Sequence, residues 1–469
     1  MGKRPFSACL RLQAITTYLP TITLTLFFLA LPLPRHWILI RRDFPGVYYE
    51  YTSLSLYIGE MAALLWLAVG WWQYGKNSSR IPPAPRGLTW GVTGLVGITA
   101  VGVTWAFDVA LHLQLLAHLV LALAIFWGIV IWQPDKQTIM RAISLSLLLQ
   151  TAVALLQFLR QDDTGLRLLG ELDIAPLPGG NSILVVGAQI WLRAYGLTPH
   201  PNILGGVLTV FLLALLPPLL TTPWPQKLFW TGVWVAGSGA LLVTFSRSAW
   251  LGAVIGGGYF LGILLLERAW WQYGRVLLTL LLLALLLLAG FTWWQRDLLL
   301  TRFTPQTGHN ELETRSIGER QALIEHSLNL IRQNPLQGTG GNNFAIYLIP
   351  LVHRPGVAPQ PVHNLPLLLT AELGIAGGLL WVWLMLFPAG YALYRLRHHQ
   401  LSLWAAALTA ALVGWAAIDL FDYYAWGWAQ GRLLRWVYWG LWAAAMCQPE
   451  RPLPTIHGNR LKNSQPGNV

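Results

Sequence analysis

The sequence predicts an all-α, polytopic integral membrane protein with about twelve transmembrane helices. Its residues are 55% hydrophobic and only 11% charged, with a mean hydropathy of +0.50, which is above the range of soluble globular domains. The apolar residues fall in stretches of about 17 to 25 residues, the length of a helix that crosses a bilayer. Since hydrocarbon offers the backbone no hydrogen-bond partner, these stretches are expected to be helices and not open strands.

Twelve stretches have this length and are interpreted as the spans. In chain order they are Ile15–Pro34, Thr52–Trp72, Leu88–Phe107, Leu113–Trp132, Ala142–Leu159, Ile203–Leu220, Leu228–Phe245, Ala249–Leu266, Val276–Trp294, Leu367–Leu386, Leu401–Leu420 and Leu433–Cys447. The whole chain, residues 1–469, is predicted to form a single membrane domain.

The predicted topology places both chain termini in the cytoplasm. An even number of spans puts the termini on one side of the membrane, and the basic residues of the short loops make that side the inner one. Residues 449–469 then form a cytoplasmic tail, and residues 160–201 and 296–362 form two long loops on the outer side. A loop of more than about a dozen residues usually carries function, so both are candidates for the site.

Charge and cysteine usage exclude several classes of protein. The net charge of +12 is spread over the loops between spans, so anionic lipid head groups and lipid-linked phosphates, not nucleic acid, are the expected counter-charges. Cys9 and Cys447 belong to no Cys-x-x-Cys or Cys/His cluster. Neither a zinc site nor a disulfide framework is therefore predicted.

The larger loop contains a predicted helix and a glycine-rich turn. Ser316-Ile317-Gly318-Glu319 is a capping-box pattern, and Asn334-Pro335 ends the segment. The predicted apolar face of this helix is formed by Ile317, Ile324, Leu328 and Ile331, and Arg320 lies beside Ile324 and Leu328 on that face. The following PLQGTGGNNF either brings backbone N–H groups to a ligand or forms a tight turn, and it lacks the Lys-Ser/Thr of a nucleotide loop.

Four segments carry polar residues at the predicted outer ends of the spans. They are RAYGLTPHPN at 193–202, FSRSAW at 245–250, ERQALIEHSLNLIRQNPLQGTGGNNF at 319–344 and VHNLPLLLTAELGIAGG at 362–378. In order and spacing they resemble the bacterial O-antigen ligase and O-antigen polymerase family of membrane glycosyltransferases. The family's His-Asn and Gly-x-x-Gly pattern is matched by His363, Asn364, Gly374 and Gly377. The resemblance covers residues 193–377, and the first five spans match only in hydrophobicity.

The resemblance implies a GT-C-like fold and a glycosyltransferase that moves a glycan from an undecaprenyl-diphosphate carrier to an acceptor hydroxyl. The reaction is expected on the outer side of the cytoplasmic (inner) membrane, in surface polysaccharide biosynthesis, without a metal or cofactor. The expected partners are a lipid-linked glycan donor, a glycan, lipid or protein acceptor, and membrane lipids.

Each candidate residue has an expected role. A diphosphate leaves readily when its charge is held, so Arg247 and Arg320 are predicted to stabilise that charge. The acceptor hydroxyl must lose a proton, which makes His363 the predicted general base. Residues expected to bind diphosphate or substrate are Arg193, His200, Asn202 and Asn364, and those expected to form the structural motif are Gly338, Gly340, Gly374, Gly377 and Glu372. Glu372, inside a span, is predicted to hold an arginine or to pack helices.

Simpler roles remain open for the same side chains. Arg247 at a span end suits contact with lipid head groups, and Arg320 suits an ion pair with an acid of its own loop. His363 and His200 each suit a position at the start of a helix. Asp419 and Asp422 resemble a metal pair, although the family resemblance points to metal-independent transfer.

Other functions are open as well. An O-antigen polymerase or a protein O-oligosaccharyltransferase has the same motifs. A secondary transporter often has twelve spans, but such carriers usually show internal repeats, and the two halves of this chain differ. A glycoside hydrolase needs two positioned carboxylates, and the acids of the larger loop form no such pair in sequence.

Overall fold

The computed structural model describes residues 6–44, 49–75, 83–177, 181–303, 311–350, 359–448 and 453, and they form a nearly all-α protein. The helices are α1 (Phe6–Ala30), α2 (Ile58–Tyr74), α3 (Arg86–Gly102), α4 (Val109–Trp132), α5 (Lys136–Arg160), α6 (Pro201–Ala214), α7 (Leu216–Thr221), α8 (Gln226–Val243), α9 (Arg247–Leu266), α10 (Trp270–Trp294), α11 (Arg296–Phe303), α12 (Glu311–Gln333), α13 (Phe344–Leu348), α14 (Leu365–Arg397), α15 (Leu403–Asp419), α16 (Tyr424–Gly427) and α17 (Ala429–Cys447).

Two antiparallel β-hairpins interrupt the helical pattern. One pairs β1 (His36–Ile40) with β2 (Leu54–Tyr57), and the other pairs β3 (Ile183–Val186) with β4 (Gln189–Leu192). The prediction that Thr52–Trp72 is one continuous span is therefore wrong at its start, because helix α2 begins only at Ile58. The preceding residues pair with β1, and this pairing is not visible in the local apolar pattern.

The membrane class is supported by the helices themselves. Each of the twelve predicted stretches overlaps a helix. Among the described residues, six helical segments are long and apolar enough to cross a membrane by length and composition. They are Val109–Trp132, Lys136–Arg160, Pro201–Thr221, Arg247–Leu266, Trp270–Trp294 and Leu365–Arg397. The count of twelve spans stays a prediction.

Small residues let α9 pack closely against α15 and α6. A Cβ added to Gly252 of α9 would lie 2.6 Å from the carbonyl oxygen of Gly414 in α15. A Cβ added to Gly205 of α6 would lie 2.7 Å from the Cβ of Ala249. Such close backbone approach is typical of helices that associate in membranes. The packing places the first turn of α9 beside the first turn of α6 and the last turn of α15.

The long helix α14 is broken at Gly374, where φ is +74° and ψ is 179°. A side chain is excluded there, because a Cβ would lie 2.1 Å from the carbonyl oxygen of Leu336. The break leaves room for the segment that follows α12. The N-terminal half of α14, which follows His363, is therefore held against α12 at a fixed angle.

Two predictions about α12 are wrong. The helix begins at Glu311, so Ser316 lies inside it and is not its N-cap. Its buried face contains Leu323, Ser327 and Leu330, whereas Ile324 and Leu328 are about two-fifths exposed, at 41% and 40%. The helix has two apolar stripes, and sequence periodicity does not show which of them packs on α14.

Candidate active site

One carboxylate, that of Asp422, connects residues from three distant parts of the chain. Its Oδ1 lies 3.5 Å from Nδ1 of His363, and its Oδ2 accepts a hydrogen bond of 2.9 Å from Nδ2 of Asn202. The Oδ1 of Asn202 in turn accepts a 2.7 Å hydrogen bond from Nη2 of Arg193. Asn202 lies in the first turn of α6, His363 precedes the N-cap of α14, and Asp422 follows α15, so helix packing sets this arrangement.

A pocket of about 270 Å³ opens next to this network. Its lining residues are Asn202, Arg247, Ser248, Leu251, Arg302, Arg320 and Phe421. Two of the arginines, Arg247 and Arg320, were predicted to act together, and the structure brings both to this pocket. His363 does not line it, but is joined to it through Asp422 and Asn202.

Arg320 reaches the pocket because of its position on α12. It lies three and seven residues before Leu323 and Ser327, and therefore on the face that is buried against the protein. Its side chain is half-buried. Among the described residues, Arg320 has no hydrogen bond or ion pair, although its charge acts on Asp422 and His200. A guanidinium placed in this way is suited to bind an anion.

Arg247 and Arg302, which also line the pocket, are each held by a backbone carbonyl group. Nη1 of Arg247 donates a 3.0 Å hydrogen bond to the carbonyl oxygen of Arg302, and Nη2 of Arg302 donates a 3.1 Å bond to the carbonyl oxygen of Phe245. Sequence reasoning missed Arg302. It lies in α11, a short helix with no family motif, and only its position just after the predicted ninth span, Val276–Trp294, could have indicated it.

Arg193 lies behind the pocket and is buried. Besides its bond to Asn202, it donates to the carbonyl oxygen of Thr244 and to the hydroxyl of Ser182, both at 2.8 Å. These contacts make Arg193 a residue that positions Asn202 and the turn before α9. The structure does not place its guanidinium in the pocket lining.

His200 begins α6 as its N-cap, which is the simpler of its two expected roles. Its Nδ1 accepts a 3.1 Å hydrogen bond from the backbone N–H of Asn202. Burial, together with the nearby charge of Arg193, lowers the pKa of His200 to about 3. The imidazole is therefore neutral at physiological pH, with its proton on Nε2.

Asp422 remains ionised despite its burial. Burial raises the pKa of this carboxyl, but His363, Arg320 and His200 lower it, and the net pKa is below the ordinary aspartate value. A negative charge beside Nδ1 of His363 favours the tautomer with the proton on that nitrogen. Since Nδ1 is buried, only Nε2 remains for contact with a substrate.

Asn364 caps the start of α14 and bonds to the segment that follows α15. Its Oδ1 accepts a 3.0 Å hydrogen bond from the backbone N–H of Leu367, which caps α14. Its Nδ2 donates to the carbonyl oxygen of Leu420 at 3.1 Å. Asn364 thus fixes the residue next to it, His363, relative to the segment that carries Asp422.

The glycine-rich turn binds the protein and not a ligand. All seven backbone N–H groups from Gly338 to Phe344 donate to protein acceptors. Gly338 and Gly340 have φ of +67° and +95°, and a Cβ at Gly338 would lie 2.4 Å from the carbonyl of Glu372. The alternative of a tight turn is therefore correct, because no N–H in this run is left for a phosphate.

Glu372 fastens this turn to α14. Its Oε2 accepts from the N–H of Asn342 at 2.9 Å and from Nε1 of Trp426 at 2.7 Å, and its Oε1 accepts from the N–H of Phe344 at 3.2 Å. Among the described residues its contacts include no arginine. Gly377 is close-packed within α14, where an added Cβ would lie 2.4 Å from the Cβ of Leu373.

The structure also contains a larger cavity of about 940 Å³. It is lined almost entirely by apolar side chains of α6 to α11, among them Trp250, Val254, Leu281 and Leu299. Helices α9 and α11 line both spaces: Arg247, Ser248 and Arg302 face the small pocket, while Trp250 and Leu299 face the large one.

The acidic pair Asp419 and Asp422 is divided between two environments. Asp419 is buried and forms an ion pair with Arg435, whose guanidinium also lies over the rings of Trp381, Trp415 and Trp439. Asp422 points to His363 and Asn202. Within the described part of the chain, no group of three or more His, Cys, Asp or Glu residues is arranged to hold a metal ion.

Residues 232–382 match the family model described as O-antigen ligase. Among curated proteins, no sequence matches the chain. The matched segment contains Arg247, Arg302, Arg320 and His363, and the family resemblance predicted from the motifs is confirmed.

Proposed function

We propose that this protein, which carries an O-antigen ligase domain, transfers a glycan from an undecaprenyl-diphosphate carrier to an acceptor hydroxyl on the outer side of the cytoplasmic membrane. The observation that carries the proposal is the cluster of Arg247, Arg302 and Arg320 in one pocket, together with an apolar cavity that is lined in part by the same helices, α9 and α11. A polyprenyl diphosphate has the same two parts, an anionic head and a long apolar chain.

The arginine pocket would hold the diphosphate. Arg247, Arg302 and Arg320 supply up to three positive charges around about 270 Å³, and guanidinium groups bind phosphate oxygens in pairs. Charge builds up on the leaving diphosphate as its bond to the sugar breaks, so fixed cations stabilise the transition state more than the ground state.

His363 would act as the general base through Nε2. The bond between the anomeric carbon and the phosphate oxygen breaks, its electron pair stays on the diphosphate, and the acceptor oxygen bonds to the anomeric carbon. The acceptor proton passes to Nε2, and the imidazolium that forms is stabilised by Asp422 at 3.5 Å from Nδ1. The arginines supply the positive charge in this scheme, so transfer is expected to continue in the presence of a metal chelator.

The apolar cavity would hold the first part of the polyprenyl chain. Its volume of about 940 Å³ lies within the range of specific small-molecule sites, and its walls offer few polar groups to satisfy a sugar. The long glycan would therefore lie outside it, on the side of the pocket that faces His363.

The test is mass spectrometry of lipid-linked and exported glycans from a strain that lacks the gene. Accumulation of full-length lipid-linked chains would support a ligase, and accumulation of single lipid-linked repeats would support a polymerase. Unchanged lipid-linked pools and unchanged surface glycans would contradict the proposal.

A further inference from the structure

Beyond the arginine pocket, His363 faces a second group of side chains that the proposed mechanism does not use. Its ring packs edge-on against the ring of Tyr423, with centroids 4.9 Å apart. The hydroxyl of Tyr423 forms a hydrogen bond with the hydroxyl of Tyr51, and the ring of Tyr51 packs edge-on against Trp428 with centroids 6.0 Å apart. We call Tyr51, Tyr423 and Trp428 the aromatic platform.

The platform and the arginine pocket reach His363 through different contacts. Nδ1 of His363 points to Asp422, and through Asp422 and Asn202 to the pocket. The contact with Tyr423 is made by the ring itself. In a transfer reaction the acceptor must also reach the base, and the platform contacts His363 without contributing to the lining of the arginine pocket.

The rings of the platform are accessible enough to bind a molecule. Tyr51 and Trp428 are half-buried, whereas Tyr423 beneath them is only 6% exposed. Aromatic rings with a polar edge suit a pyranose, because the C–H face of the sugar packs on the ring and its hydroxyls bond to the phenol oxygens. Lipid contact alone would not require the paired hydroxyls of Tyr51 and Tyr423.

The first β-hairpin and the 3-10 turn within it hold Tyr51 in place. It belongs to a single 3-10 turn, Tyr49–Tyr51, directly before β2. Arg42, after β1, makes two hydrogen bonds to the carboxylate of Asp108, the N-cap of α4, and the hydroxyl of Thr52 bonds to the carbonyl of Arg42. The first hairpin is thereby fastened to the helical bundle, so the platform is preformed.

The platform also lies outside the segment that matches the O-antigen ligase family. The three arginines of the pocket and His363 fall within residues 232–382, whereas Tyr51 precedes this range and Tyr423 and Trp428 follow it. On the proposed function, the ligase and polymerase alternatives share the carrier diphosphate and differ in the acceptor. Residues that bind the acceptor are therefore expected outside residues 232–382.

We propose that Tyr51, Tyr423 and Trp428 form the acceptor subsite, which binds a pyranose of the acceptor glycan beside His363. This inference rests on the proposed transferase function for its role in catalysis, but not for its ability to bind a sugar.

Kinetics with the purified full chain in nanodiscs provide the first test. Trp428→Leu is expected to raise the acceptor KM about tenfold, the usual contribution of one aromatic contact, while the donor KM and kcat stay within about twofold. Trp271→Leu is the matched control, because Trp271 is 83% exposed at the start of α10 and belongs to neither cavity lining. An unchanged acceptor KM in Trp428→Leu, or a parallel change in donor KM, overturns the proposal.

Saturation-transfer NMR separates this inference from the proposed function, because it needs no reaction. The probes are the methyl glycosides of glucose, galactose and N-acetylglucosamine. Saturation is expected to reach the ring protons of at least one probe in the wild type and in Trp271→Leu, to be weaker in Tyr51→Phe, which lacks the phenol oxygen, and to be lost in Trp428→Leu. No transfer in the wild type, or equal transfer in Trp428→Leu, overturns the platform. Sugar binding without glycan transfer contradicts the proposed function alone.

A folding control accompanies both measurements. Trp428 is the residue before α17, and its replacement removes partly buried aromatic surface. Tyr51→Ala is therefore tested beside it, and thermal unfolding is recorded for each variant. If both variants unfold as the wild type does and neither changes acceptor KM or sugar binding, the platform is not the subsite.

Discussion

The carboxylate of Asp422 lies 3.5 Å from Nδ1 of His363. The same carboxylate accepts a hydrogen bond from Asn202, which lines the arginine pocket. One acid thus connects the proposed base to the proposed diphosphate site. This relationship gives the account its first prediction, because a negative charge beside Nδ1 of His363 favours the tautomer with the proton on that nitrogen.

Replacing Asp422 by asparagine is expected to lower kcat by about 10²- to 10⁴-fold and to leave both KM values nearly unchanged. An amide keeps the shape but removes the charge that stabilises the imidazolium. Steady-state rates of glycan transfer provide the measurement. Asp173→Asn is the control, since the Asp173 side chain is 79% exposed and pairs only weakly with Arg167. Wild-type kcat in Asp422→Asn would show that Asp422 does not act on the base.

The lowered pKa of Asp422 predicts a pH-dependent stability. A carboxyl whose folded pKa is lowered binds fewer protons in the folded state than in the unfolded one, so stability rises with pH through that range. Its contribution is present above the ordinary aspartate pKa of about 3.9 and is lost as the pH falls through the folded value. The difference in Tm between the wild type and Asp422→Asn should therefore shrink in acid. A difference that grows on acidification would contradict the assignment.

Arg302 is predicted to bind the donor although no motif identifies it. Arg302→Ala should lower kcat/KM for the donor by roughly 10²-fold, because one fixed cation beside the developing charge is lost. Arg302→Lys should recover only part of the loss, since an ammonium cannot bind two oxygens at once. Arg332→Lys on the exposed face of α12 is the matched control. Equal donor kinetics in the wild type and Arg302→Ala would exclude the pocket as the diphosphate site.

The apolar cavity predicts a dependence on carrier length. Gly258 lines the cavity, and a Cβ at this position would meet nothing within 4 Å, so Gly258→Trp fills space without displacing the backbone. We expect a higher KM for the undecaprenyl donor and an unchanged KM for a donor with a very short lipid chain. Gly262→Trp is the control on the same helix, also open within 4 Å but outside the lining. If the KM for the undecaprenyl donor is the same in Gly258→Trp as in the wild type, the lipid chain does not bind in this cavity.

Hydropathy was sufficient to predict where the helices lie, because crossing segments are apolar along their whole length. It could not predict the first hairpin, since β1 and β2 depend on a pairing across the chain. Nor could it choose between the two apolar stripes of α12, where the buried residues are Leu323 and Leu330. The choice depends on the partner helix, and one sequence does not contain that information.

The site was predictable only where its residues stand in local sequence motifs, and not where it depends on tertiary contacts. Arg247, Arg320 and His363 stand in recognisable motifs, and the structure places the two arginines in one pocket with His363 two contacts away. Glu372 was expected to hold an arginine or to pack helices, whereas its partners in the structure are backbone N–H groups and Trp426, which no spacing rule specifies. Arg302 was not predicted because α11 has no motif, and the link of Asp422 to His363 depends on tertiary packing.

The most direct test of the account is glycan transfer by His363→Ala in the purified protein, with binding of undecaprenyl diphosphate measured on the same sample. We expect transfer to fall by about 10²- to 10⁴-fold while undecaprenyl diphosphate still binds with wild-type affinity, because the arginine pocket is intact. His326→Ala, a half-buried histidine of α12, should transfer normally. Transfer at the wild-type rate by His363→Ala would contradict the central claim.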